Sequence, residues 1–418
     1  MRRPLLLAPL LAFLIGCPPD DGAVPTAFPT GAAPAPTATE AASGGTPTEA
    51  SPAAEAPKRK DRPAEDVHVC LLLAKSGDGK EHGAEMRRGM QLAQEQIAAE
   101  SWRTRTIRWR EKDTKSTEVG ANTAFVDCNS SGVPVVIGPV HPVAKTALIP
   151  VAAAHDGLLV VPEITSAAIT VWNDRIVAIA PSSTEMGRTA ATDVVAKGHK
   201  FAAVLAAQGG FGKAVGSAFS EGFKTDGHSI VATSALDPDK PDAWVAAAKA
   251  AVLEKQASAL FVVGPGGTAQ EVVAVLDDNG MNHVHVWMID WAMFPPVLDT
   301  AAGNTALQRV HWVNRRDPKG DFASEFLERY QSRPRYEAGA GYDAVRLVAN
   351  AIEEAETAKY EDIGAVLRTL KDVPSAFGTG SMVTEGGVTW LDVAGYGLVA
   401  PEPDPDSGND GFLFGPAR

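Results

Sequence analysis

Apolar positions along this chain follow two alternating rhythms. Val67–Leu73 (VHVCLLL) is a nearly unbroken apolar run and reads as a buried strand, and Met86, Met90, Ala93 and Ile97 then recur at helical spacing. Thr106–Glu111 predicts a second strand, Glu118–Asn129 a helix, and Val133–Ile137 another short strand. A helix near Val143–His155 and strands at Leu158–Val161 and Arg175–Ala180 follow. The rhythm resumes with Phe201–Ala206, a helix from Gly212 to Thr225, and a strand at Ser229–Thr233. Helices over Ala243–Lys255 and Ala269–Asn279 precede strands at Ala259–Val263 and Val284–Ile289. Alternating βα units predict parallel sheets covered by helices on both faces. Two runs of units with a break near residue 181 predict two similar lobes.

Both ends lack this rhythm. Arg2 and Arg3 precede an almost wholly apolar stretch, residues 4–16. Its roughly 20 Å of helix is too short for a ~30 Å hydrocarbon core, so it reads as a signal peptide (1–16). Leu14-Ile15-Gly16-Cys17 resembles the lipobox of bacterial lipoproteins, which implies lipidation at Cys17, export, and a membrane anchor facing the periplasm or cell exterior. Residues 17–65 are rich in Pro, Ala, Thr, Gly and Ser and predict a disordered tether spanning roughly 40 Å. Residues 401–418 read as a flexible tail.

Charge narrows the partners. With 38 basic against 51 acidic residues the net charge is -13, and no basic stripe suits the chain to nucleic acid. Cys70 and Cys128 can pair as one disulfide or stand as small core residues; the sequence leaves both open. Motifs for catalysis fail on inspection. Gln208 to Ala214 (QGGFGKA) has a Gly-Lys pair but lacks the first P-loop glycine and the closing Ser or Thr. Gly227 to Val231 (GHSIV) lacks the last glycine of a nucleophile elbow. His283 and His285 alternate on a predicted strand without a third ligand nearby. No metal, cofactor or enzymatic activity is expected.

The segment LLLAKSGDGKEHGAEMRRGMQLAQEQI (71–97) resembles the opening of the type I periplasmic binding proteins, the branched-chain amino-acid binding family. VPVVIGPV (133–140), Pro162 with Thr165, FGKAVGSAFSEGFK (211–224), DDNGMN (277–282) and GYDAV (341–345) continue the likeness in order. The resemblance implies two doubly wound α/β lobes joined by three crossing segments. It puts residues 66–181 and 310–375 in lobe one, and 182–309 and 376–400 in lobe two. A monomer that closes around a small polar ligand and hands it to an ABC permease is the implied function. A sensor or protein-binding lipoprotein that has lost transport is the alternative.

The ligand would lie beyond the carboxyl ends of the strands. The family holds a ligand carboxylate with N–H groups and hydroxyls on two lobe-one loops. Here the first loop, with His141, has Pro142 where relatives carry Ser, and proline offers neither donor. On the second, Thr165 keeps a hydroxyl while Glu163 replaces a small residue. If Glu163 faces the cleft it repels a carboxylate, since like charges at 4 Å cost about 4 kcal/mol at an effective dielectric of ~20; the other reading turns it to solvent. Asp290 matches the family's ammonium partner. His82 matches an aromatic over the ligand, and Phe211 is either a cleft-mouth aromatic or a plug between helix and sheet. Gly266, in a glycine-rich loop, replaces an aromatic wall, and Tyr336, before a helix starting near Tyr342, is an additional wall.

Overall fold

Val67–Leu73 (β1) has no polar face, so it is stable only as an inner strand of a sheet covered on both sides. The computed structural model describes residues 66–139, 142–163, 173–180, 182–225, 227–264, 266–290, 310–315, 317–385, 388–392, 396–403 and 412–416. All belong to the compact unit of residues 56–418. The expected signal peptide and the whole expected tether with Cys17 lie outside the described residues, as do His141 and Thr165.

In the first sheet β1 pairs in parallel with Ile107–Asp113 (β2) and Val135–Ile137 (β3), followed by Leu158–Val161 (β4) and Ile176–Ala178 (β5), in the order β2-β1-β3-β4-β5. One face is covered by Lys80–Ala99 (α1), Tyr336–Ala355 (α9) and Tyr360–Leu367 (α10), packed on Val67, Val69, Leu71 and Leu73. The other carries Glu118–Ser130 (α2) and Pro142–Ala153 (α3) over Cys70 and Leu72. The buried face of α1 holds Met86, Gly89, Met90, Ala93 and Ile97, the three-and-four spacing of an amphipathic helix. Small residues bring α1 onto α9: a Cβ on Gly89 would lie 1.8 Å from the Ala338 carbonyl oxygen. On the α2 face the sulfurs of Cys70 and Cys128 are bonded.

The second sheet has the order β15-β14-β10-β9-β8-β6-β7. Phe201–Ala207 (β6), Ser229–Leu236 (β7), Ala259–Gly264 (β8), His285–Asp290 (β9) and Val310–Arg315 (β10) run parallel. Tyr396–Pro403 (β14) and Phe412–Pro416 (β15) extend it antiparallel. Thr184–Ala196 (α4) and Gly210–Phe223 (α5) cover one face, and Pro241–Leu253 (α6) and Gly266–Asp278 (α7) the other. These are the two doubly wound lobes that the family resemblance implies.

Three boundaries differ from the expectation. β10 pairs with β9, so lobe two extends to residue 315 and only then does the chain return to lobe one as Gly320–Tyr330 (α8). Val373–Ser375 (β11), Gly378–Glu385 (β12) and Val388–Asp392 (β13) form a small antiparallel sheet whose Met382 and Leu391 enter the core of lobe one. Residues 376–392 therefore belong with lobe one, where burying these two side chains gains roughly 1.5–3 kcal/mol each. The third lies at the C-terminus, where 401–403 and 412–416 are strand in place of the expected tail.

The second connection is built tightly. A Cβ on Gly339 would meet the Pro318 ring at 2.7 Å, and the Lys319 N–H donates to the Ala376 carbonyl at 2.9 Å. Asp343, in the GYDAV segment, accepts from Ser375 Oγ at 2.6 Å and Ala376 N–H at 2.7 Å, fastening the turn that Lys319 leans on. Burial, with Glu337 and Glu85 nearby, pushes the Asp317 carboxyl up to about 7 against the pull of Arg335.

Two predictions follow from this framework. The disulfide closes a separation of 58 residues, for which chain entropy gives about 4 kcal/mol. Replacing both Cys70 and Cys128 by Ala is expected to cost about 2–4 kcal/mol in urea unfolding under non-reducing conditions. Asp317 holds its proton more tightly when folded than its ordinary 3.8 allows, so its contribution is complete below that value and lost as pH rises through about 7. Asp317→Asn is expected to match the parent near pH 4 and exceed it by ~1–2 kcal/mol at pH 8 in the same assay.

Candidate functional site

Of the predicted ligand residues that the structure describes, all but Tyr336 sit at the carboxyl ends of parallel strands or on the helices that follow; Tyr336 opens a helix that follows α8. After β1 the chain is clamped to the end of β2. The Lys75 N–H donates to Asp113 Oδ1 at 2.9 Å, Ser76 Oγ to Asp113 Oδ2 at 2.7 Å, and the Gly79 N–H to Ser116 Oγ at 2.9 Å. Burial works against the Asp113 charge, but the hydrogen bonds from Lys115, Ser76 and Lys75 prevail and hold its carboxyl below the usual range. Helix α1 then starts so close to β1 that a Cβ on Gly83 would lie 2.0 Å from the Ala74 carbonyl oxygen. That contact fixes His82, the first predicted site residue.

His82 Nδ1 lies 3.2 Å from Glu337 Oε1, on the first turn of α9. Glu85 Oε1 accepts from the Arg335 N–H at 3.0 Å and Glu85 Oε2 from Arg88 at 3.2 Å, while burial raises the Glu85 carboxyl. The starts of α1 and α9 thus form a half-buried polar junction of His82, Glu85, Glu337, Arg335 and, from the lobe connection, Asp317. Tyr336 does not precede its helix, as the sequence suggests; it opens α9. Its side chain is only 5% exposed and lies 5.1 Å from the Phe377 ring, which gives it a packing partner inside the protein.

On the next two strands, Gly138 turns the chain at φ +123°, where a Cβ would meet the Leu72 carbonyl oxygen at 2.5 Å, and Pro142 opens α3. A proline suits a first helical position because its missing N–H would have no intrahelical partner there. Glu163, two residues beyond β4, is 5% exposed. The solvent-facing reading of Glu163 is therefore excluded.

In lobe two, β6 hands over to α5 through Gly209 at φ +110°. Phe211 is partly buried against the cluster of Met186, Val215 and Phe219, so it acts as the plug between helix and sheet. Gly266 is the first residue of α7. Asp290 ends β9 in register with Gly264, whose missing side chain leaves room for the Trp244 ring, 2.7 Å from where a Cβ would stand. An open groove of about 470 Å³ runs from Gln208 and Gly209 between α5 and β7, over Gly212, Gly216 and Thr233. None of the predicted ligand residues lines it.

The structure brings His82 and Tyr336 to one junction at the starts of α1 and α9 and leaves Glu163 beyond the end of β4 in the same lobe; in lobe two Asp290 ends β9 and Gly266 opens the helix that follows the neighbouring β8. Sequence reasoning missed Glu337, Glu85 and Asp317. Glu337 could have been found as the acidic residue beside Tyr336, but nothing local joins it to His82, 255 residues away. Among the described residues no helix is long and apolar enough to cross a membrane, and no group of three metal-ligating side chains could hold an ion.

Comparison with known proteins agrees with this architecture. A family model described as periplasmic binding protein matches residues 66–397. No curated protein sequence matches the chain. An ABC-type branched-chain amino acid transporter protein from Rhodopseudomonas palustris superposes with a TM-score of 0.69 at 19% identity, over 84% of this chain and 96% of its own. The branched-chain amino acid binding protein LivJ from Streptococcus pneumoniae, in complex with isoleucine, gives 0.59 at 20% identity, over 81% of this chain and 100% of its own. A solute-binding protein from another Rhodopseudomonas palustris strain, in complex with 3,4-dihydroxy benzoic acid, gives 0.63 at 18%, over 84% and 96%. At these identities the structures testify to the fold, while the family model spans most of the chain. With its paired doubly wound lobes, the chain belongs to the periplasmic binding protein family, a family of non-enzymatic solute-binding proteins.

Proposed function

We propose that the chain is an extracytoplasmic solute-binding lipoprotein, anchored through Cys17, that captures a small polar ligand bearing an amine or amide for an ABC transporter. The observation that carries the ligand class is the burial of Glu163 at the carboxyl end of β4. A carboxyl group at that strand end favours a ligand ammonium and repels a ligand carboxylate, whatever else the side chain contacts. Pro142 supports the same reading, because it withdraws a donor from the loop where relatives anchor an anion. Asp290 and Thr165 complete the proposed site from lobe two and lobe one. Since LivJ binds isoleucine and another relative binds an aromatic acid, the fold itself accommodates different ligand chemistries.

A second reading, a sensor that has lost transport, is favoured by Pro142 itself, since a missing anchor is what relaxed selection for transport would leave. Permease and ATPase genes beside this one would count against it.

The test is calorimetric titration of the full chain with amino acids, amides, polyamines and aromatic acids. Saturable binding is expected for an amine- or amide-bearing compound, and for that compound Glu163→Gln and Asp290→Ala are expected to lose roughly 1.5–3 kcal/mol each, tenfold or more in affinity. Binding confined to acids that carry no amine or amide, or unchanged affinity in both variants, would sink the proposal.

A further inference from the structure

Lobe two carries a histidine cluster at the end of its sheet away from the candidate site. The sequence pattern puts His283 and His285 on one strand face; β9 begins at His285, and His283 lies in the preceding turn. His285 finds its neighbours elsewhere. Its Nδ1 is 3.1 Å from Nε2 of His311 on β10, and its ring centroid is 4.9 Å from that of His199, which follows α4. Trp287 stacks on His311 at 4.5 Å and meets His199 edge-on at 5.3 Å, and its indole N–H donates to Asp193 Oδ2 at 2.8 Å. His199 Nδ1 is 3.2 Å from Ser258 Oγ, just before β8. Three imidazoles, one indole and one carboxylate thus join α4, β8, β9 and β10 where the strands begin.

The arrangement fits a proton and not a metal. The His285 and His311 rings are within 15° of parallel with centroids 5.4 Å apart, so the facing nitrogens meet nearly end-on along the line of centres. Nitrogens ligating one tetrahedral ion would instead converge at an angle, each about 2.0–2.1 Å from it. End-on nitrogens at 3.1 Å make an N–H···N hydrogen bond, which needs one ring nitrogen with a lone pair. When both facing nitrogens carry protons the bond is lost and two like charges oppose each other.

We propose that His285 and His311, supported by His199, form a proton-operated latch: neutral, they hold the starts of β9 and β10 together, and acid releases them. Among the described residues, the charged and titratable groups acting on His311 besides His285 are Asp193 and Lys197 of α4 and His199, while the neighbours Ser258 and Trp287 carry no charge. Of these Asp193 favours a protonated ring, and it already accepts from Trp287 and faces Lys197 at 3.9 Å. Burial first, then Lys197, pushes His311 down to about 4 against Asp193, and burial and His285 lower His199. Both shifts act in one direction. The stabilisation is present above the ordinary histidine value of 6.5 and is lost as pH falls from there toward 4.

The experiment is urea unfolding of the full chain at pH 7 and pH 5, with His311→Gln and His285→Gln, in which an amide keeps a hydrogen-bonding group but does not titrate. The parent's folding equilibrium constant is expected to fall between the two pH values by roughly tenfold more than that of His311→Gln. Parallel losses in parent and variants overturn the latch. Should the variants fail to fold, amide hydrogen exchange on the parent decides. Acidification is expected to open residues 285–287 and 310–312 before the rest of the second sheet, and uniform opening overturns the proposal.

Discussion

A parallel strand covered on both faces has no place for a polar side chain except at its ends. That constraint orders this molecule. β1, β4, β6 and β8 are apolar nearly throughout, and helices close both faces of each sheet. Side chains able to recognise a ligand are therefore driven to the strand termini, and all strands of a parallel stack present the same terminus together. His82, Glu163, Gly266 and Asp290 follow carboxyl ends for this reason. The histidine cluster gathers at amino ends for the same one.

The described connection between the lobes, residues 317–319, obeys a second constraint: close packing and hydrogen bonding hold its lobe-one end in place. Pro318 rests where Gly339 has no side chain, Lys319 is bonded to Ala376, and Asp343 holds the turn containing Ala376. Asp343 is wholly buried, and burial pushes its carboxyl up to about 7 even with Ser375 and Ala376 donating to it. A protonated acid there still satisfies the turn, so the joint is not forced to bury a charge. The GYDAV segment is thus tied to architecture, whereas Asp317, on the connection itself, meets acidic neighbours from both α1 and α9.

Most of the lobe interiors were legible in the sequence because they rest on local periodicity. Met86, Met90, Ala93 and Ile97 declare the inner face of α1, and VHVCLLL declares a strand with no exposed face. What periodicity does not declare is which sheet a strand joins. β10 looks like any short apolar strand, and its pairing with β9 is settled by contacts that local pattern does not encode. β12 and β13 were assigned to the wrong lobe for the same reason, since Met382 and Leu391 reveal their partners only when packed. At the candidate site, positions after strand ends were legible, as were Glu163 and Pro142 as departures from the family pattern. The junction of His82 with Glu337 was not, because it joins segments far apart in the chain; the Cys70–Cys128 bond was one of the two readings the sequence left open, and the structure selects it.

The two ends of a doubly wound sheet also differ in their electrostatics. Carboxyl ends of strands feed helix N-termini, where free N–H groups and the positive end of the helix dipole suit an anion. α1, α5 and α7 all begin at that edge. A lobe whose edge carried only such groups would select a plain acid. On the proposed reading Glu163 and Asp290 add carboxyl groups beside these strand ends and Pro142 withholds a donor, which would shift the balance toward positive charge without abolishing the backbone donors. A ligand answering both features would carry an amine together with a hydrogen-bond acceptor, as a zwitterion or an amide does. The selectivity of the proposed site then depends less on any one residue than on how far two carboxylates offset the helix ends that the fold cannot avoid placing there.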